Sequence, residues 1–458
     1  VAAARRLAGV LALVTMGAAL SGCTGGDDPE PEPTTATTSA TPSPSETATP
    51  SSLDVGVFGE RRKVAAYQDI VDSFTAEHPE VEVEVTVFED ARAAADGALA
   101  ALDFNADLDV FLADDRYLAE LVLTGGLEPV DTLLEERDLE FGDDYQRVAL
   151  TAFSANSRLQ CMPADVSPLV VYVNTDLVDE ASPLDEPPPL PDEEDASWTW
   201  EEFTQVARNV ASVDGPGPVK GVYLPPTVEL VTALVRSAGG DVVDDVLDPD
   251  SLTLASDDAR RALTEAASLA RDSSIAPRLR DLDDRGAPGM FADGELGMFV
   301  GTRADLPELR ETSGLQFDVL PLPSLGRSRS VSLMTGWCLN ADSDNVSVGA
   351  DLIAHAVGPE GSEIAASSGV IVPSGLDAVH DEAFTEPELQ PRNSHVFATA
   401  IRRSDPMPFA VRWDDVVVRV ERLVQRLWSR PRIDLEGSLE DRLVRLDEGS
   451  EGILAEPE

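Results

Sequence analysis

The sequence predicts an α/β fold built on an open sheet, and three observations carry that expectation. Short apolar runs alternate with segments of helical periodicity, the links between them are brief, and the run at 81–87 has one wet face. Leu53–Phe58 reads as the first strand. Val64, Tyr67, Ile70, Val71 and Phe74 then recur on one helical face through Ala76, and His78-Pro79 stops that helix. Val81, Val83, Val85 and Val87 alternate with Glu82, Glu84 and Thr86, the pattern of a half-buried strand. Ala91–Leu102 predicts a second helix, Leu108–Leu112 a third strand, and Leu118–Val122 a helix closed by Gly125-Gly126. Strands joined by crossover helices pair in parallel, because each helix returns the chain to the same edge. Leu169–Val173 reads as a further strand of this kind, and Pro183–Asp195 as an exposed loop of prolines and acids. Thr199 and Glu202 form a capping-box pair ahead of the stripe Phe203, Val206, Val210. Val416, Val420, Leu423, Val424 and Leu427 line one face of a late helix; after Pro431 the chain is a charged tail with one short helix over Leu439–Leu446.

The bulk numbers narrow the function. The 458 residues suit two or three domains with real cores. Acids outnumber bases 85 to 34, which excludes nucleic acid as a partner, because phosphate binding needs a basic footprint. No apolar run reaches the ~20 residues that span a bilayer. The four histidines lie at least fifteen residues apart, and neither H-E-x-x-H nor paired C-x-x-C occurs, so no metal and no cofactor is expected.

The N-terminus reads as an address. Arg5 and Arg6 precede the uncharged stretch Leu7–Leu20, and Ser21-Gly22-Cys23 follows, the parts of a secretory signal over residues 1–22. Leu20-Ser21-Gly22-Cys23 resembles the lipobox of bacterial lipoproteins, which implies that Cys23 is lipidated and anchors the chain to the outer face of the plasma membrane. Residues 24–52 hold nineteen Pro, Thr and Ser among twenty-nine positions, five acids and no base. Such a segment cannot bury enough apolar surface to offset its chain entropy. Residues 23–52 therefore read as a disordered tether, with a reach of roughly 30 Å.

The motifs of the body come in a telling order. Phe74-x-x-x-His78-Pro79 precedes the valine-rich strand; then come Leu108-Asp109-Val110-Phe111, Gly126-Leu127-Glu128-Pro129, Met162-Pro163 and Val171–Leu177. Trp198–Phe203, Phe291–Met298, Pro321-Leu322-Pro323 and Gly369–Pro373 follow. In this order the chain resembles the extracellular solute-binding proteins of ABC importers, in the sugar-binding family that includes the maltose receptor, over about residues 53–428. The resemblance implies a two-lobed, type II periplasmic-binding-protein-like fold, with the ligand in a cleft between lobes joined by hinge strands. It places the first lobe at 53–161 plus 339–376, the second at 162–338 plus 377–430, and a tail at 431–458. It further implies a monomer that closes on its solute and delivers it to membrane permease subunits.

A sugar receptor needs flat aromatics for the ring faces and carboxylates, amides or guanidinium groups for the hydroxyls. Asp115 and Arg116, in the loop after the third strand, match the family's acid–base pair, and such a loop is where open α/β sheets bind ligands. Arg61 and Arg62 occupy the equivalent place after the first strand, and Ser167 and Glu229 align with contact positions. Trp413 matches a position whose tryptophan stacks on sugar, whereas Trp337 suits pocket or core equally. Trp198, Trp200 and Trp428 read as packing. Leu112 and Arg303 stand where the maltose receptor has stacking tryptophans, which argues against a maltodextrin. A smaller sugar fits, as does one with an anionic group facing Arg61, Arg62 and Arg303. A receptor of the same fold for a peptide, polyamine or amino-acid derivative remains open. A secreted hydrolase is the weaker rival, since no G-x-S-x-G elbow or zinc signature is found. The resemblance also implies a disulfide between Cys161, where the chain leaves the first lobe, and Cys338, where it returns.

Overall fold

The computed structural model describes residues 51–104, 108–139, 141–142, 144–181, 197–213, 217–282, 285–430, 433–435 and 437–454. The expected signal, Cys23, nearly all of the tether and the 183–195 loop lie outside them. Among the described residues the strands are β1 (Ser51–Phe58), β2 (Val81–Phe88), β3 (Val110–Asp114), β4 (Ser154–Ala155), β5 (Arg158–Leu159), β6 (Cys161–Pro168), β7 (Val170–Asn174), β8 (Lys220–Tyr223), β9 (Leu296–Gly301), β10 (Phe317–Leu320) and β11 (Ser332–Leu339).

They form two main sheets, of order β2-β1-β3-β11-β6 and β10-β7-β9-β8. In the larger, β1 pairs in parallel with β2 and β3, as the crossover helices Arg61–Glu77 and Ala91–Phe104 require. Leu53, Val55 and Val57 are fully buried at its centre, while Glu82 and Glu84 of the edge strand β2 face solvent and discourage further strand pairing. β11 then enters antiparallel between β3 and β6. Its register breaks at Thr335/Gly336, where a Cβ on Gly336 would lie 2.9 Å from the Phe153 ring.

The expected boundaries at 161/162 and 338/339 fall inside this sheet. Residues 162–168 stay extended and pair with 332–337, so the crossing between sheets comes later, where the Leu169 amide donates to the Val331 carbonyl at 2.9 Å. Cys161 and Cys338 are disulfide-bonded, Cα 4.3 Å apart, at the end of β6 and β11 remote from that crossing. The bond therefore locks two strands of one lobe rather than the hinge.

The smaller sheet corrects a second expectation. β7 is antiparallel to both β9 and β10, and only β8–β9 is parallel. An apolar run buried on both faces has no alternation from which direction can be read. Tyr172 of β7 stacks on Phe299 of β9 at 4.8 Å and donates to the Thr302 carbonyl at 2.7 Å. The Thr199–Glu202 capping box is present and starts the helix Trp200–Val210. Trp198 packs against Phe203 and donates to the Pro321 carbonyl at 2.8 Å, and Trp428 donates to that of Leu224 at 3.0 Å, both as packing residues.

The C-terminal segment is not a loose tail. Leu439–Leu454 is a helix that buries Leu439, Leu443 and Ile453. The Asp447 carboxylate accepts from the amides of Leu254 and Ala255 at 3.1 and 2.8 Å, and Ser450 Oγ from that of Leu252 at 2.8 Å. The sequence signals only its first half, because Leu443, Val444 and Leu446 are followed by six residues without an apolar side chain before Ile453. No helix among the described residues is long and apolar enough to cross a membrane.

Candidate ligand-binding cleft

The C-terminal end of β3 delivers Asp114, Asp115 and Arg116 to the gap between the sheets. Asp114 accepts from the Arg116 amide at 3.0 Å and so fixes the turn that follows the strand. From the other lobe, Thr227 caps the helix Val228–Ala238, which carries Glu229 in its first turn. The helix Trp413–Ser429 opens with Trp413 and Asp414 at the same place. The Arg116 guanidinium spans the gap, 2.8 Å from Glu229 and 3.5 Å from Asp414, and Tyr117 Oη donates to Asp414 at 3.4 Å.

Asp114, Asp115, Arg116, Glu229 and Trp413, with Ser332, Leu333 and Met407, enclose a cavity of about 10 Å³. That is the scale of a single water and far below the ~300–1,000 Å³ of a small-molecule site, and with Arg116 paired to Glu229 and Asp414 the lobes are closed on each other here. Arg62 and Glu311 add an exposed ion pair at 2.6 Å.

The cleft is rich in acid. Burial first, and then the negative charge of Asp114, pushes the Asp115 carboxyl well above its ordinary range. Burial and the neighbouring Glu229 raise Glu421 in the same way. Burial opposes the charge on Arg116, but Asp114 and Glu229 outweigh it and hold the guanidinium cationic. Asp305, which accepts from the Thr302 amide at 2.9 Å, is raised to about 6 by burial.

Of the residues singled out from sequence, Asp115, Arg116, Glu229 and Trp413 meet at this cavity. Trp413 is also 1 % exposed, with most of its ring in the core of the smaller-sheet lobe. The others do not line it. Arg61 is exposed at the start of its helix. Ser167 is buried and donates to Asp165 at 2.7 Å; Asp165 also accepts from Lys63 at 2.5 Å. Trp337 is core, packed edge-on against Tyr67 at 5.5 Å. Arg303 is wholly buried, its guanidinium 3.8 Å from the centre of the Phe384 ring and 5.5 Å from that of Phe397. It donates to the Phe384 carbonyl at 2.8 Å, and burial followed by repulsion from Arg310 lowers its pKa to about 10. An anionic ligand group facing Arg303 is therefore not supported by this arrangement. Sequence reasoning missed Asp114, Asp414 and Met407; the first two are chain neighbours of residues it did select.

A sequence profile described as bacterial extracellular solute-binding protein matches residues 69–391. The chain belongs to that family. Solved structures agree with the two-lobed fold of this solute-binding protein. An ABC substrate-binding protein from Listeria monocytogenes in complex with cycloalternan is 18 % identical, with a TM-score of 0.74 over 87 % of this chain and 98 % of that one. The sugar-binding protein MalE from Xanthomonas citri is 18 % identical, with a TM-score of 0.74 over 88 % and 98 %. UgpB from Mycobacterium tuberculosis, in complex with glycerophosphocholine, is 18 % identical, with a TM-score of 0.71 over 87 % and 98 %. At such identities the likeness establishes the fold of this solute-binding protein and leaves its ligand to be argued from the site.

Proposed function

We propose that this protein is the substrate-binding lipoprotein of an ABC importer and captures a carbohydrate between its lobes without chemically changing it. The observation that carries the reading is Arg116 of one lobe held by Glu229 and Asp414 of the other beside Trp413. Carboxylates and a guanidinium supply directional partners for hydroxyls, and an indole supplies an apolar face for a ring. Opening at the Leu169/Val331 crossing admits the solute, and closure desolvates its polar contacts on both sides at once. The closed monomer then docks on the permease subunits. The lipobox-like Leu20-Ser21-Gly22-Cys23 supports an acyl anchor on the extracellular face of the membrane.

One observation favours a second ligand class. Asp114, Glu229 and Asp414 surround a single guanidinium, and this surplus of negative charge suits a cationic solute such as an amino sugar or polyamine and opposes an anionic one. Calorimetry with neutral sugars, amino sugars, polyamines and sugar phosphates tests both readings. A ligand recovered unchanged, whose affinity falls by roughly 1–3 kcal/mol in Trp413→Ala and Asp115→Ala, supports the site. Unaltered affinity in both variants overturns it, and turnover of the ligand overturns the receptor reading.

A further inference from the structure

We propose that the larger-sheet lobe holds a first-row divalent cation such as Zn²⁺ on Glu77, His355 and Glu360. Glu77 ends the helix Arg61–Glu77, His355 lies in the last turn of the helix Val346–Val357, and Glu360 in the first turn of the helix Pro359–Ser367. One ligand atom from each residue falls within 4.8 Å of the other two. The His355 side chain is only 9 % exposed, with its ring 5.8 Å from that of Phe74.

The hydrogen bonds decide which nitrogen is offered. Ser73 Oγ has one proton and donates it to Glu360 Oε1 at 2.8 Å. The same Oγ lies 2.9 Å from His355 Nε2, so it must accept there, and Nε2 carries the ring proton. In the neutral ring the lone pair is then on Nδ1, which faces Glu77 Oε2 at 3.5 Å. That is beyond the ~3.2 Å limit of an ordinary N–H···O bond. It matches the edge of a tetrahedral site, where bonds of about 2.0–2.2 Å set ligand atoms roughly 3.3–3.6 Å apart. A bonded Nε2–H is also the outer-shell contact that orients a metal-binding imidazole.

One imidazole and two carboxylates suit Zn²⁺ and its first-row neighbours, whereas Mg²⁺ prefers oxygen alone and keeps its waters. Ser73 is three turns beyond Arg62 on the same helix, roughly 16 Å along its axis. The cation would therefore clip three helices of one lobe at a distance from the cleft.

Titration calorimetry of the full chain with ZnCl₂, with MgCl₂ as control, tests the proposal against Glu77→Gln, Glu360→Gln and His355→Ala. The expected result is one Zn²⁺ per chain, an affinity at least about tenfold weaker in each variant, and no comparable Mg²⁺ binding. Long-range ¹H–¹⁵N spectra, in which only four histidines contribute, should show Nδ1 of His355 moving on Zn²⁺ addition while Nε2 stays protonated. Absence of stoichiometric Zn²⁺ binding overturns the proposal in favour of a plain imidazolium–carboxylate pair. So does binding that the two glutamine variants leave unchanged, or a Zn²⁺ shift confined to another histidine.

Discussion

The sequence nominates both Arg116 and Arg303 as ligand contacts, yet they sit in opposite surroundings. Arg116 lies among Asp114, Asp115, Glu229 and Asp414 beside a small cavity and is partly exposed. Arg303 is sealed against Phe384 and Phe397, and among the described residues its Nε and Nη1 have no hydrogen-bond partner. The first is held by charges that a solute's polar groups can replace. The second acts as a flat filler whose charge is a burden, relieved only in part by Glu386 at 3.7 Å. Side-chain type does not make a binding residue; its neighbours do.

The largest effects should come from the sealed arginine. Arg303→Ala removes a buried planar group between two rings and should cost about 2–5 kcal/mol in urea unfolding, the scale of a large core truncation. Arg303→Met should fold with wild-type stability or better, since replacing a buried charge by an apolar group of similar volume is often neutral or stabilising. A marked loss of ligand affinity in a well-folded Arg303→Met would break the contrast and return that residue to the cleft.

Arg116→Met should change stability little but leave Asp114, Glu229 and Asp414 without a counter-charge in the closed cleft. The expected outcome is a shift toward an open form, read by small-angle scattering as a larger radius of gyration, with ligand affinity at least about tenfold weaker. An unchanged radius would mean that the Arg116 ion pairs do not hold the lobes together.

A smaller and reversible effect should follow pH. Asp115 is held well above its ordinary range because the closed cleft buries it beside Asp114, so the closed form binds more protons than an open one that returns it to water. Closure is then favoured most below the ordinary carboxylate range of about 4 and is progressively lost as pH rises through the raised value of Asp115. Scattering between pH 4.5 and 7.5 should show opening on the alkaline side, and Asp115→Asn should flatten that response. A profile unaltered by Asp115→Asn would remove Asp115 from the linkage.

The smallest effect belongs to Arg62→Ala. Its pair with Glu311 is exposed on both sides, and its loss should change stability by under about 1 kcal/mol. A larger loss in urea unfolding would make this pair a latch rather than a surface contact.

The sequence by itself determined the local elements and their kind. The stripe from Val64 to Phe74, the alternation of β2 and the Thr199–Glu202 box all became what their periodicity implies, because helix and strand burial repeat every few residues and leave their mark locally. The resemblance to the family's acid–base pair also singled out Asp115 and Arg116, in a loop after a parallel strand's end. Only the tertiary structure decided the direction of β7, the crossing at Leu169 and Val331, and the docking of Leu439–Leu454. It likewise decided that Trp337 and Arg303 face core while Asp414 faces the cleft. Each of these depends on partners far away in the chain, Arg303 on Phe384 and Asp414 on Arg116. The free energy of burying a side chain depends on what surrounds it, and no local pattern carries that information.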